Sequence, residues 1–210
     1  MPISQLKQIQ SVSSNPSFDD ISFLISFLSP GINEMLQTAA ANALISAGKP
    51  AVPALLSCFE SFADDSILSI VSYILSQNPS SPLSIFLENL SHRNPDVRKN
   101  CVTGIGILQA GNSRDLLLIE NLSRVLYEDP DVLVSYEAAL SLEKINLSAD
   151  FWNALLKGQG LDNHVFNKII EISGTAGDDA TIRILTQMEF SDERLAKTAK
   201  ESVQKLKNKK

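Results

Sequence analysis

Two cysteines, two histidines and a single tryptophan leave this 210-residue chain poor in the side chains that build metal centres, disulfide frameworks and nucleophilic sites. Cys58 and Cys101 are too few to staple a fold whose residues are 44% hydrophobic, and two thiols in a core-rich chain need no oxidising compartment. His92 and His164 stand outside any spacing to those cysteines that a zinc site uses. Long apolar runs are missing too. The longest, Leu116 to Ile119, has four residues, where a bilayer span needs about 20. The start, MPISQLKQIQ, lacks a basic segment followed by an apolar one, so a cytoplasmic location is expected. Alternating β-branched segments between hairpin turns are absent as well. Eighteen basic against 24 acidic residues give a net charge of −6, which weighs against nucleic acid as the partner. Only the tail is basic, from Lys197 and Lys200 through Lys205 and Lys207 to Lys209 and Lys210. It reads either as a solvated terminus or as a contact for an acidic partner.

What the chain does have is one helical pattern six times over. Counting from Asn33, Asp64, Asn94, Asp129, Asp162 and Asp192, the fourth residue is Leu36, Ile67, Val97, Val132, Val165 or Leu195. The eighth is Ala40, Val71, Cys101, Tyr136, Ile169 or Ala199. With the eleventh and twelfth these make 24 positions, of which only Gly104, Ser173 and Ser202 are not hydrophobic. Spacings of four, three and one trace one face of an α-helix. The starts lie 31, 30, 35, 33 and 30 residues apart, a period that marks an array of stacked helical units. The Asp or Asn at each start suits an N-cap, where a side-chain oxygen accepts an orphan N–H bond.

A second set of helices is expected between these, over 50–62, 82–91, 114–127, 149–157 and 178–189, with apolar residues such as Leu55, Leu56, Phe59 and Phe62 at helical spacing. Pro50, Pro53 and Pro82 sit where such helices begin, and Gly48, Gly111, Gly158 and Gly177 where helices end, as left-handed C-caps. Residues 3–12 and 18–28 supply a degenerate leading pair. The chain reads as all-α and as one domain over 1–210, with an N-terminal cap over 1–32 and a C-terminal cap helix and tail over 192–210.

Segment 94–111, NPDVRKNCVTGIGILQAG, resembles a HEAT-type repeat of the short bacterial kind grouped with phycobilisome-lyase proteins, whose first helix opens Asp-Pro-x-Val-Arg. Segment 129–145, DPDVLVSYEAALSLEKI, matches the same start and the Ala-Ala-Leu step, and AGKPAVPALL over 47–56 resembles the turn and second helix. The chain departs from the pattern at the arginine. Only Arg98 supplies it, against Gln37, Leu68, Leu133, Phe166 and Ala196, so the ladder of arginine–acid pairs that the family makes between repeats is not expected. The resemblance implies a right-handed α-solenoid of about seven HEAT-like helix pairs. It also implies a non-catalytic protein-binding scaffold or assembly factor. A phycobilin lyase-like role, with a bilin as the one cofactor to consider, is the alternative, and a DNA-processing enzyme a third reading.

No compact catalytic set emerges from the residues. GIGILQAG over 104–111 has two glycines of a dinucleotide loop but lacks the third and lies in a helix. Ser46 and Lys49 match Ser-x-x-Lys at a helix exit. The acidic pairs Asp19–Asp20, Asp64–Asp65 and Asp178–Asp179 are accounted for by helix starts. Cys101 occupies a core position.

Binding is the better use of a stack of helices, whose second helices line a groove. Candidate exposed residues there include Glu60, Glu88, Glu120, Arg124, Asn153, Lys157, Arg183 and Gln187. Glu88 and Glu120 suggest a negative strip. Phe151 and Trp152 are either core or a hot spot for a partner protein. The residues expected to contact a partner are Glu88, Glu120, Arg124, Phe151, Trp152 and Arg183. The run Leu116–Ile119 spans a helix circumference, so at least one of its residues must leave the core stripe.

Overall fold

The computed structural model describes residues 2–12, 16–61, 64–110, 115–158 and 160–209. The side chain of Glu60, together with Phe62, Gly111 and Lys210, lies outside the described residues. Thirteen α-helices and no strand occur among them. No helix of the described residues is long and apolar enough to cross a membrane.

Contacts gather into two compact units, residues 1–108 and 109–210. The first holds α1 (Pro2–Ser11), α2 (Phe18–Ser26), α3 (Glu34–Ala47), α4 (Val52–Ser61, entered through a 3-10 turn at Lys49–Ala51), α5 (Asp65–Ser76), α6 (Leu83–Glu88) and α7 (Pro95–Leu108). The second holds α8 (Leu116–Glu128), α9 (Val132–Lys144), α10 (Ala149–Lys157), α11 (Asn163–Ala176), α12 (Asp179–Gln187) and α13 (Glu193–Asn208). In the first unit α1, α3, α5 and α7 pack successively into one row, and α2, α4 and α6 each pack on the row helix that follows them. The second unit repeats this scheme, with α9, α11 and α13 in the row and α8, α10 and α12 behind it.

Helix starts follow the side-chain chemistry. Asn33, Asp64, Asp162 and Asp192 accept backbone N–H bonds in the first turns of α3, α5, α11 and α13, and Asn94 accepts from the Asp96 N–H at 2.9 Å. The start expected at Asp129 moves. Asp131 caps α9, accepting from the N–H groups of Leu133 and Val134, while Asp129 accepts from the Asp131 N–H. In this frame the buried stripe is Val134, Ala138, Ser141 and Leu142, and Val132 is exposed with Tyr136 and Leu140 half-buried. Apolar residues at 132–134 permitted both frames, and the cap selects one.

With that shift, the caps of the two units fall in register. Ser17, Asn33, Asp64 and Asn94 match Asp115, Asp131, Asp162 and Asp192, each 98 residues later. Core residues follow the same offset, for instance Leu24 with Leu122, Ala40 with Ala138, Leu44 with Leu142 and Val71 with Ile169, all fully buried. The turn after the first row helix matches too. Gly48 has φ +63° and Asn146, 98 residues on, φ +61°, asparagine being the residue that best tolerates a place suited to glycine. Gly158 and Gly177 are C-caps with extended backbone (φ −65° and −80°) rather than the left-handed turns expected, and after Gly177 the chain runs directly into the next cap, Asp178.

The apolar rows contain small residues where helices come closest. Gly104 lies under the Phe86 ring, and a Cβ on Gly174 would come 2.5–2.8 Å from Ser202 atoms, backbone included. Ser202 Oγ donates to the Ile170 carbonyl at 3.0 Å, so its polar atom is satisfied within the α11–α13 contact. Behind the row, buried Asn153 of α10 and buried Thr181 of α12 form a network with the exposed carboxylate of Asp178. Thr181 Oγ1 donates to Asn153 Oδ1 at 2.7 Å, and Asn153 Nδ2 donates to Asp178 Oδ1 at 3.2 Å. Hydrogen bonds from Thr181 and Asn153 hold the Asp178 carboxyl below the usual carboxylate range.

Gly174→Ala should destabilise the protein by about 1–3 kcal/mol in denaturant unfolding, with partial recovery in Gly174→Ala/Ser202→Gly. Asn153→Ala should cost about 0.5–1.5 kcal/mol, because the Thr181 hydroxyl loses its acceptor at 2.7 Å and keeps Asp178 at 3.2 Å. Because Asp178 is depressed in the folded state, its contribution is full above the ordinary carboxylate range and is lost as pH falls from that range through the group's own lower value. Asp178→Asn should therefore flatten that part of the acid-unfolding curve.

Candidate functional site

Burial of one helix face in the row leaves the opposite face of α3, α5 and α7 outward, and there the sequence is polar. Thr38, Ser69 and Asn100 lie at intervals of 31 residues, as do Asn42 and Tyr73. Together with Gln37, Asp96 and Lys99 they line a groove of about 360 Å³ across the three helices, floored by Ala41 and Ile70.

The groove is held in shape by bonds at its edges. Asn100 is 8% exposed, and its Nδ2 donates to the Ser69 carbonyl and to Ser72 Oγ, both at 3.0 Å, tying α7 to α5. Gln37 Nε2 donates to the Leu28 carbonyl at 3.2 Å. On the rim Lys99 pairs with Asp96 at 2.8 Å. Outside it Arg93 pairs with Asp65 at 2.9 Å, and Asn94 Nδ2 donates to the Asp65 carbonyl. The Tyr73 side chain is open to solvent, the residue being 46% exposed. Amide and hydroxyl groups that both donate and accept, next to an exposed aromatic ring over an apolar floor, suit a neutral ligand rich in hydrogen bonds, such as polypeptide. They offer no nucleophile with a base beside it.

The residues singled out from the sequence lie elsewhere. Glu88 ends α6 in the first unit and is exposed; Glu120 and Arg124 are exposed on α8, and Arg183 on α12, in the second. Arg124 Nη2 donates to Asn121 Oδ1 at 3.0 Å. Trp152 is 1% exposed and belongs to the core of the second unit. Phe151 is half-buried and meets its ring edge-on, with centroids 5.4 Å apart. A partner at that place would touch Phe151 and not Trp152. In the run 116–119, Leu118 is buried while Leu116 and Leu117 are 80% and 64% exposed.

The remaining chemistry-bearing side chains serve the fold. Arg98 Nη1 donates to the carbonyls of His92 and Arg93 at 2.8 and 3.2 Å, fastening the turn before its own helix. His92 Nδ1 accepts from the Asn94 N–H at 3.1 Å, and its ring lies against Phe59. Arg194 reaches His164 Nδ1 at 3.3 Å. Cys58 and Cys101 are buried free thiols. Burial raises both, Cys101 to about 12, so neither supplies thiolate at neutral pH. No group of three or more metal-ligating side chains clusters among the described residues.

Asn42, Tyr73 and Asn100 lie on row helices, whereas the expected groove lining lay on the second helices. Their signal was the 31-residue interval of polar positions beside the apolar rows. Compared with protein-family models and with curated proteins, the chain matches none.

In native protein, Cys101 should resist a thiol reagent such as a chromogenic disulfide and react only on unfolding. Prompt labelling of Cys101 in the folded state, located by peptide mapping, would contradict the burial described.

Proposed function

We propose that this protein is a non-catalytic scaffold or assembly factor that holds a segment of another protein. Each unit is a short right-handed α-solenoid of the HEAT-like kind. The observation that carries this reading is the groove across α3, α5 and α7, where three successive row helices present hydrogen-bonding side chains and Tyr73 outward. A helical stack offers a preformed surface, so binding spends little free energy on ordering the scaffold. Tyrosine supplies a large, rigid contact at low entropic cost, which is why it recurs where binding energy concentrates. Exposed Glu88, in the same unit as the groove, contributes a charge that steers the partner more than it holds it.

Affinity capture from host cells, with the purified chain as bait, tests this. The double variant Asn42→Ala/Tyr73→Ala should weaken capture of the recovered partner by about tenfold or more, the loss of a contact worth over 1 kcal/mol. Its far-ultraviolet circular dichroism should stay unchanged, since both side chains point to solvent. Undiminished capture by that variant would remove the groove from the reading.

A further inference from the structure

Counted from the caps Asn33, Asp64 and Asn94, the same place on α3, α5 and α7 is held by Thr38, Ser69 and Lys99, and the place one turn on by Asn42, Tyr73 and Thr103. Neighbouring helices in a packed row lie about 8–10 Å apart. A ligand that crosses the three helices therefore meets the same surface again at about that interval.

The two gaps between the helices differ. Six residues past its cap, Asn100 donates to the Ser69 carbonyl and to Ser72 Oγ on α5, and Ser72 stands eight residues past Asp64. The sixth place thus faces the helix before and the eighth the helix after. At those places α5 has Ile70 and α3 has Ala41, which both line the groove. The α3–α5 gap is apolar, with the exposed ring of Tyr73 one turn on from Ile70, whereas Asn100 fills the α5–α7 gap with amide.

Charge and hydrogen bonding narrow what fits. The charged residues lining the groove among those described are Asp96 and Lys99, and they neutralise each other at 2.8 Å. An uncharged segment complements such a surface, since a charged one would lose hydration there without gaining a counter-ion. Thr38 and Asn42 are exposed, and their side-chain donors suit backbone carbonyls. An α-helix keeps its carbonyls for itself, and in a β-strand residues three apart face opposite ways. A polyproline II chain has unspent carbonyls and turns once every three residues, about 9.3 Å. One turn of such a chain matches one step between helices.

Given the proposed role of the groove as a holder of polypeptide, on which this step rests, we infer that the segment held is an uncharged polyproline II stretch of another protein. About six residues, two turns, cross from α3 to α7. A proline ring enters the α3–α5 gap against Tyr73, as proline-rich segments dock on aromatic rings. Carbonyls along the same face accept from Thr38, Asn42 and Lys99, and the chain passes over Asn100.

NMR titration of the isotopically labelled full chain with acetylated, amidated nonaproline tests this, beside a Gly-Ser peptide of equal length and an uncharged Ala-rich helical peptide. Nonaproline should saturably shift amide signals around Thr38, Asn42 and Tyr73, with an affinity that changes by less than about twofold between low and high salt. Tyr73→Ala should weaken it by about tenfold, circular dichroism showing that the variant folds. The Gly-Ser peptide should bind more weakly, because it must be ordered on binding. Absence of shifts with nonaproline, shifts unchanged in Tyr73→Ala, or equal or tighter binding of either control peptide overturns the inference. The role of the groove itself fails by a different result, undiminished partner capture by Asn42→Ala/Tyr73→Ala. A partner that this variant loses but that saturating nonaproline does not displace keeps the groove and overturns the polyproline II segment alone.

Discussion

A row helix packed closely against a row neighbour has little room there for bulky side chains. In α5, α7, α11 and α13 the tightest places hold serine or glycine: Ser72 and Ser76, Gly104, Gly174, and Ser202. Each serine hydroxyl that lies there is bonded to a nearby carbonyl, Ser72 and Ser76 within their own helix and Ser202 across to Ile170. At these three serines close approach comes with the polar atom already satisfied, which lowers the cost of burying it, whereas Ser173 Oγ on α11 is buried without a hydrogen-bond partner. Everything else in the arrangement follows from row contacts of this kind. They fix which face of each helix is inward, where the rear helices find their clefts, and which side chains remain outward in line.

Much of this was legible in the chain. Four-, three- and one-residue spacings located the row helices because burial on one face leaves an apolar stripe that composition alone does not hide, and the Asp and Asn caps located their starts. The α9 start was misplaced by two residues because Val132, Leu133 and Val134 are all apolar, so hydrophobicity cannot distinguish the frames; only the hydrogen bonds of Asp131 do. Glycine at a helix end predicted the left-handed turn at Gly48 and failed at Gly158 and Gly177, since a glycine permits positive φ without requiring it. The 98-residue recurrence was hidden for a related reason. Many matched places in the core share burial without sharing identity, as with Ser72 against Ile170 or Gly104 against Ser202.

The groove was harder to foresee. A polar residue on an outward helix face is ordinary, and only the alignment of Thr38, Ser69 and Asn100 on three adjoining helices turns separate side chains into one surface. In the second unit the matched residues are Tyr136, Asn167 and Thr198, and there the Asn167 Oδ1 atom is buried without a hydrogen-bond partner. The two units keep one backbone plan and differ in what that plan displays. Such divergence is what a repeated scaffold permits, because its core and its outward rows are set by different residues.

The caps bear on the acidity of the chain. Asp64, Asp115, Asp131, Asp162, Asp178 and Asp192 each terminate a helix at its N-terminal end with a side-chain hydrogen bond. Those six carboxylates equal the whole excess of negative over positive charge in the protein. A chain that punctuated the same helices with serine or asparagine would be electrically neutral at pH 7 with its core untouched. The low isoelectric point is thus a record of how many helices have to be started, set by grammar before any partner had a say.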